Sequence, residues 1–210
     1  SVPECLRSLS VEKIVRNQSG HGAFRTTRLW LPTIDGYWLP GAPVSRISDG
    51  EFSSVSTLIG TTVDEGSLFM LDELEHIDSP AAFEAYVWRV WTPYAQRIIG
   101  TPGIDGLYDP RHFPSPFLAA AAIFGDVVYR CPARRLARLL FDAGTPTFRY
   151  LFAQSDGTDD LGIYHASELA FIFDSKRFFD GEPIPEIYHG MVRHIQEAWT
   201  HFARTGRPLP

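Results

Sequence analysis

An α/β fold, with a mostly parallel sheet flanked by helices, is predicted by three features of this sequence. Residues 55–62 and 146–153 are β-branched or aromatic with little polar alternation, as strands buried on both faces are. Stretches of helical periodicity lie between and after them. The order of strand, helix, strand, helix is the order of a layered sheet. A length of 210 residues, 44% of them apolar, fits one compact domain over 1–210. The 16 prolines and 17 glycines predict short elements joined by tight turns.

Taken from the start, Leu6 to Val15 reads as a short helix, followed by a polar loop from Arg16 to Gly22. Phe24 to Leu39 carries strand and turn signals, with Asp35-Gly36 as a tight-hairpin dipeptide between Pro32-Thr33-Ile34 and Tyr37-Trp38-Leu39. The strand Val55–Thr62 ends at Asp64-Glu65-Gly66, and Ser67 to Leu74 turns helical. Ser79 caps a helix that opens on Pro80, with an apolar stripe of Phe83, Val87, Val90, Trp91 and Tyr94 and a stop at Gly100.

Asp109 to Pro116 is a loop. Phe117 to Phe141 is helical and broken near Pro132, with Val128, Cys131, Leu136 and Leu140 inward. The second strand runs from Pro146 to Ala153, and an acidic loop at Asp156–Asp160 leads to Tyr164-His165-Ala166 and a short apolar helix through Phe173. Pro185 to Arg204 is the strongest helix, with Ile187, Met191, Ile195, Ala198, Trp199 and Phe202 on one face and Gly206 at its end.

A net charge of −6 with a single basic cluster, residues 130–135, argues against nucleic acid as a partner. No apolar run is long enough to span a bilayer. No basic-then-apolar leader opens the chain; because Ser1 comes first rather than Met, a start in mid-gene is expected. Two cysteines, Cys5 and Cys131, make no disulfide framework. Asn17-Gln18-Ser19 is a glycosylation acceptor triplet, which tips the compartment toward secretion.

Glu65 stands at the C-terminal end of a buried strand, where open sheets place their ligands, and Gly66 lets the chain turn behind it. The same glutamate also suits the first turn of the next helix, so a plain cap remains open. His165 follows the second strand on a loop, where a histidine can equally be a surface residue. Acid and then histidine, each after a different strand, is the chain order of α/β-hydrolases downstream of their serine. His189, His194 and His201 share no i, i+4 face, so no metal site and no cofactor is expected. Asp156, Asp159 and Asp160 read as a solvated loop, and Trp88, Trp91 and Trp199 as core.

Six collinear stretches carry a family resemblance: Cys5-Leu6-Arg7, residues 32–36, Leu58 to Gly66, Gly125-Asp126 with Cys131-Pro132, His165 to Phe173, and Trp199 to Pro208. In these the sequence resembles type B carboxylesterases, the group of cholinesterases and fungal lipases, with fungal carboxylesterases nearest in look. The resemblance implies the C-terminal part of an α/β-hydrolase fold, incomplete without an N-terminal half. It implies Glu65 as the acid and His165 as the base of a catalytic triad, Glu168 as a buried carboxylate behind them, and Asp126 as a structural acid. It also implies an acyl pocket drawing on aromatics between Phe83 and Phe117, and a Cys5 partner upstream of Ser1, so that Cys5 and Cys131 stay unbonded to each other and Cys131 is a buried thiol.

The family's Gly-x-Ser-x-Gly elbow has no counterpart here, and Ser67, which opens a helix beside the acid, is not a substitute. The expectation is therefore a serine esterase or lipase portion that acts on a small-molecule or lipid ester only together with an N-terminal half. The competing reading is a non-catalytic cholinesterase-like binding or adhesion domain, or an inactive fragment. Intact Glu65 and His165 argue against the binding domain, and the fragment reading stays open.

Overall fold

The computed structural model describes residues 2–17, 32–92, 94–100, 105–155, 159–177 and 180–209. Its chain falls into two compact units, Ser1–Ser45 and Arg46–Pro210.

In the first unit the expected single helix is two, α1 (Val2–Arg7) and α2 (Val11–Arg16). Ser10 divides them, because its extended backbone and its Oγ, which accepts from Lys13 N–H at 3.3 Å, make it the N-cap of α2. Asn17 is the C-cap and donates its side-chain amide to Lys13 O at 2.7 Å; Gln18 and Ser19 of its triplet lie outside the described residues. Residues 32–40 form no strand, so the expected hairpin is not present there, and residues 24–31 lie outside the described residues. Asp35 instead closes a local turn, with Oδ1 accepting from Tyr37 N–H at 2.9 Å and Leu39 N–H at 3.0 Å. The Leu39 and Tyr37 amides hold the Asp35 carboxyl below its ordinary pKa. Helix α3 (Pro43–Ser48) crosses the division between the units in sequence.

The second unit holds the sheet. Among the described residues it has two strands, β1 (Thr57–Thr62) and β2 (Thr147–Phe152), parallel and in register from Thr57 opposite Thr147 to Thr62 opposite Phe152. Burial on both faces is reached only toward the strand ends, at Thr61, Thr62 and Phe152, because each strand has one neighbour here. A single parallel bridge, Asp64 to Tyr164, extends the pairing beyond β1.

Helix α4 (Pro80–Val90) starts at the predicted cap, with Ser79 Oγ accepting from Ala82 N–H at 3.2 Å. It stops at Trp91, earlier than the apolar stripe implied; α5 (Ala95–Gly100) is separate, and Val90 and Tyr94 are exposed. The expected loop at Asp109–Pro116 contains a 3-10 turn over Pro110–His112, capped by Asp109. The long helical stretch breaks before Pro132. Helix α6 (Pro116–Gly125) passes through a π-helical turn (Asp126–Arg130) into α7 (Cys131–Asp142). That wide turn rotates the face of α7, so Cys131 is exposed and Val128 partly so, while Ala137 and Leu140 are buried. Helices α8 (Glu168–Phe173) and α9 (His189–Thr205) complete the chain, with Gly206 in the left-handed region ending α9. Ile187 lies on a 3-10 turn before α9 and is exposed, as is Trp88 on α4.

Two apolar clusters form among the described residues. One joins α4 and α6 to the 3-10 segment Ser67–Glu73 and includes Leu161 and Tyr164. The other joins β2, α8 and α9 around Phe171. Helix α6 is apolar all round because both sides are covered: Phe117 to Ile123 are each buried. Its small residues admit a close approach. A Cβ on Gly66 would stand 2.0 Å from Ala121 O, and one on Gly125 would stand 3.1 Å from Gly66 N. Gly66 has φ −79°, which suits any residue, so glycine is required there for space alone. Gly66→Ala is expected to destabilise the fold by about 3 kcal/mol through overpacking against backbone, measured as a lowered urea midpoint.

Candidate active site

Glu65 and His165 are 100 residues apart in sequence and are brought together by backbone. Asp64 N–H donates to Ile163 O at 2.9 Å, and Ile163 N–H donates to Asp64 Oδ2 at 2.8 Å. This exchange fastens the loop before His165 to the end of β1. Burial pushes the Asp64 carboxyl up, opposed by the Ile163 amide. Gly162, with φ +60°, fits only without a side chain, since a Cβ would come 2.3 Å from Asp64 Oδ2. Ala166 has φ +72°, a left-handed conformation that costs a non-glycine residue about 1 kcal/mol. It reverses the chain between His165 and α8.

The Glu65 side chain is 5% exposed. Its Oε1 accepts from Thr62 N–H at 2.8 Å and its Oε2 lies 2.6 Å from His165 Nδ1. A triad acid and base are expected at about 2.6–3.2 Å. A buried carboxylate is costly unless hydrogen-bonded, and these two donors compensate it. A carboxylate only accepts, so Nδ1 is the donor of this contact. The His165 side chain is 38% exposed, and its ring edges a cleft of about 520 Å³ lined also by Gly60, Thr61, Tyr129, Leu136 and Glu168. The arrangement suits proton exchange at Nε2 with the charge answered at Nδ1.

Glu168, three residues past His165, lies half-buried on the cleft with Oε2 inaccessible and without a hydrogen-bond partner among the described residues. Burial, and next the charge of Glu65, push its carboxyl up, while His165 lowers it. Asp126 accepts the Tyr108 hydroxyl on Oδ2 at 2.8 Å and pairs with Arg130 Nε through Oδ1 at 2.7 Å. Ser67 Oγ donates to Asp64 O at 2.8 Å and the residue is fully buried, so its hydroxyl serves the turn. Cys5 and Cys131 are both free and both exposed, which corrects the buried thiol expected at 131.

Two aromatic residues outside the Phe83–Phe117 stretch lie against His165. Phe69 and Tyr129 face its ring, at 5.0 and 4.8 Å between centroids. Phe83 and Phe117 are buried in the first cluster, and Phe83 with Tyr108 lines a different pocket of about 510 Å³. Tyr129 escapes a sequence reading because its approach depends on the π-helical turn, which no local pattern announces.

The carboxylesterase family model matches residues 1–210. The chain belongs to the carboxylesterase family. Its fold is therefore the family's α/β-hydrolase fold, here mostly helical with a small parallel sheet. Curated relatives include an acetylcholinesterase of Leptinotarsa decemlineata, 25% identical over 99% of this chain and 35% of the relative. A secreted triacylglycerol lipase of Gibberella zeae is 29% identical over 81% of this chain and 32% of the relative. A lipase of Diutina rugosa is 28% identical over 80% of this chain and 33% of the relative. The chain thus spans about a third of the length of the relatives it matches.

Proposed function

We propose that residues 1–210 are one C-terminal portion of a carboxylic ester hydrolase and supply the acid and histidine of its Ser-Glu-His triad. The 2.6 Å contact between Glu65 Oε2 and His165 Nδ1 carries this reading. A serine hydroxyl from the remaining portion would stand at His165 Nε2. His165 takes its proton as the oxygen attacks the ester carbonyl, and Glu65 stabilises the imidazolium that forms. The same proton passes to the departing alcohol, and His165 then activates the water that releases the acid. Asp126 and Glu168 act on the site from behind: Asp126 braces a turn, and Glu168 adds a second carboxyl to the cleft wall. The substrate class is a small-molecule or lipid ester, and no cofactor enters the chemistry. Secretion is part of the proposal, supported by the secreted lipase among the relatives and by Asn17 as a glycan acceptor.

The serine-bearing portion is also proposed as the partner that covers the open flanks of this one. Among the described residues each strand has one free edge, and Phe141, Leu151, Leu169 and Phe173 are exposed around the sheet. Co-expression with a portion carrying the Gly-x-Ser-x-Gly elbow is expected to give a soluble one-to-one complex that hydrolyses nitrophenyl esters and is inactivated by an organophosphate. The chain alone is expected to aggregate at micromolar concentration. A stable monomer in sedimentation, or a complex without turnover, counts against the proposal.

A further inference from the structure

The imidazole of His165 is held by more than its hydrogen bond. Among the described residues it makes one such bond, to Glu65, and a ring fixed through one edge can still rock about that contact. Two rings limit that motion. Tyr129 lies 4.8 Å away at 38° and Phe69 lies 5.0 Å away at 54°. Tyr129 and Phe69 also stack on each other at 5.4 Å and 21°, so the three rings form a closed triangle, and Phe124 extends it by stacking on Phe69 at 5.8 Å.

The backbone under Tyr129 is the unusual element. Asp126–Arg130 is a π-helical turn set between two α-helices, and such a turn inserts a residue and rotates the next helix by roughly 100° relative to a continuous α-helix. Tyr129 is carried on this turn, next to its closing bond from Cys131 N–H to Asp126 O. The turn is braced at Asp126, which holds Tyr108 on one oxygen and Arg130 on the other. Burial, and then the charge of Glu65, push the Tyr129 phenol up, so it keeps its proton near neutrality and does not compete as an anion for the imidazole.

Resting on the triad reading above, we infer that Tyr129, presented by the π-helical turn Asp126–Arg130, is a positioning residue that fixes the His165 ring for proton transfer. The face of an aromatic ring also attracts the imidazolium formed during the reaction more than it attracts neutral imidazole. The contribution therefore falls on turnover and not on substrate binding.

The test is steady-state kinetics of the assembled enzyme, this chain together with the portion that supplies the serine, on a short nitrophenyl ester. Tyr129→Leu is expected to lower kcat about ten- to hundredfold, with KM changed less than about twofold. Tyr129→Phe, which keeps the ring face and removes the hydroxyl, is expected to recover most of that loss. If Tyr129→Leu does not fold, Tyr129→Met takes its place, filling the space without a ring. An effect carried by KM alone makes Tyr129 a wall of the substrate pocket and overturns the inference, as does a Phe variant no better than Leu. Glu65→Gln in the same assay separates the two levels: full activity there defeats the triad reading itself. A loss there beside an unchanged Tyr129→Leu defeats only the positioning role.

Discussion

On its own, the 210-residue chain is expected to hydrolyse short nitrophenyl esters no faster than buffer. Removing the serine of a triad lowers turnover by about 10⁶, and what survives in such enzymes comes from oxyanion stabilisation and substrate binding. Ser67 does not replace the nucleophile, because its hydroxyl is fully buried and donates to Asp64 O. His165 therefore has a base's geometry, and the hydroxyl it would deprotonate is expected from the other portion. Organophosphate-sensitive turnover by the purified chain, surviving in Ser67→Ala, would place a nucleophile elsewhere in it and end the proposal of a divided triad.

In the assembled enzyme, Glu65→Gln is expected to lower kcat about 10⁴-fold while leaving KM within a few-fold. The amide can still accept from Thr62 N–H through its oxygen. Its nitrogen would then face His165 Nδ1, which favours the proton on Nε2, the wrong nitrogen for a base. The loss is thus one of tautomer and of charge against the imidazolium, not of architecture, and the urea midpoint should move little. A fall in kcat below about tenfold would show that Glu65 is an ordinary buried acid beside a histidine.

The position of Glu65 is legible in the sequence from a local feature, while His165 enters only through chain order and family resemblance. A β-branched run leading to Asp64-Glu65-Gly66 marks a carboxylate after a strand end, and β1 ends at Thr62, three residues before Glu65. The cap at Ser79 and the stop at Gly206 are equally local and are observed. The features that escape depend on contacts across the chain. The π-helical turn at Asp126–Arg130 has no sequence period of its own, so helical periodicity puts the inward face of α7 one rotation away, with Cys131 buried when it is exposed. Asp35-Gly36 carries hairpin chemistry, yet the side chain of Asp35 satisfies the Tyr37 and Leu39 amides within the turn and no strand forms over residues 32–40. Tyr129 and Phe69 have no signal beyond being aromatic. Their approach to His165 is a property of packing.

The way both shoulders of the Glu65–His165 contact rest on one apolar cluster divides the chain by its tolerance of change. Leu68 and Met70 follow the glutamate into that cluster, and Leu161 and Tyr164 lead the histidine into it. The cluster around Phe171, with α9, also meets the histidine's side, through Ile163, which packs against it. The tightest constraint lies along α6, where Ala121 and Gly125 sit against the backbone of Gly66 and a single added methyl reaches the acid. Little can be added to this alanine-rich helix, although it touches neither member of the pair through a functional group.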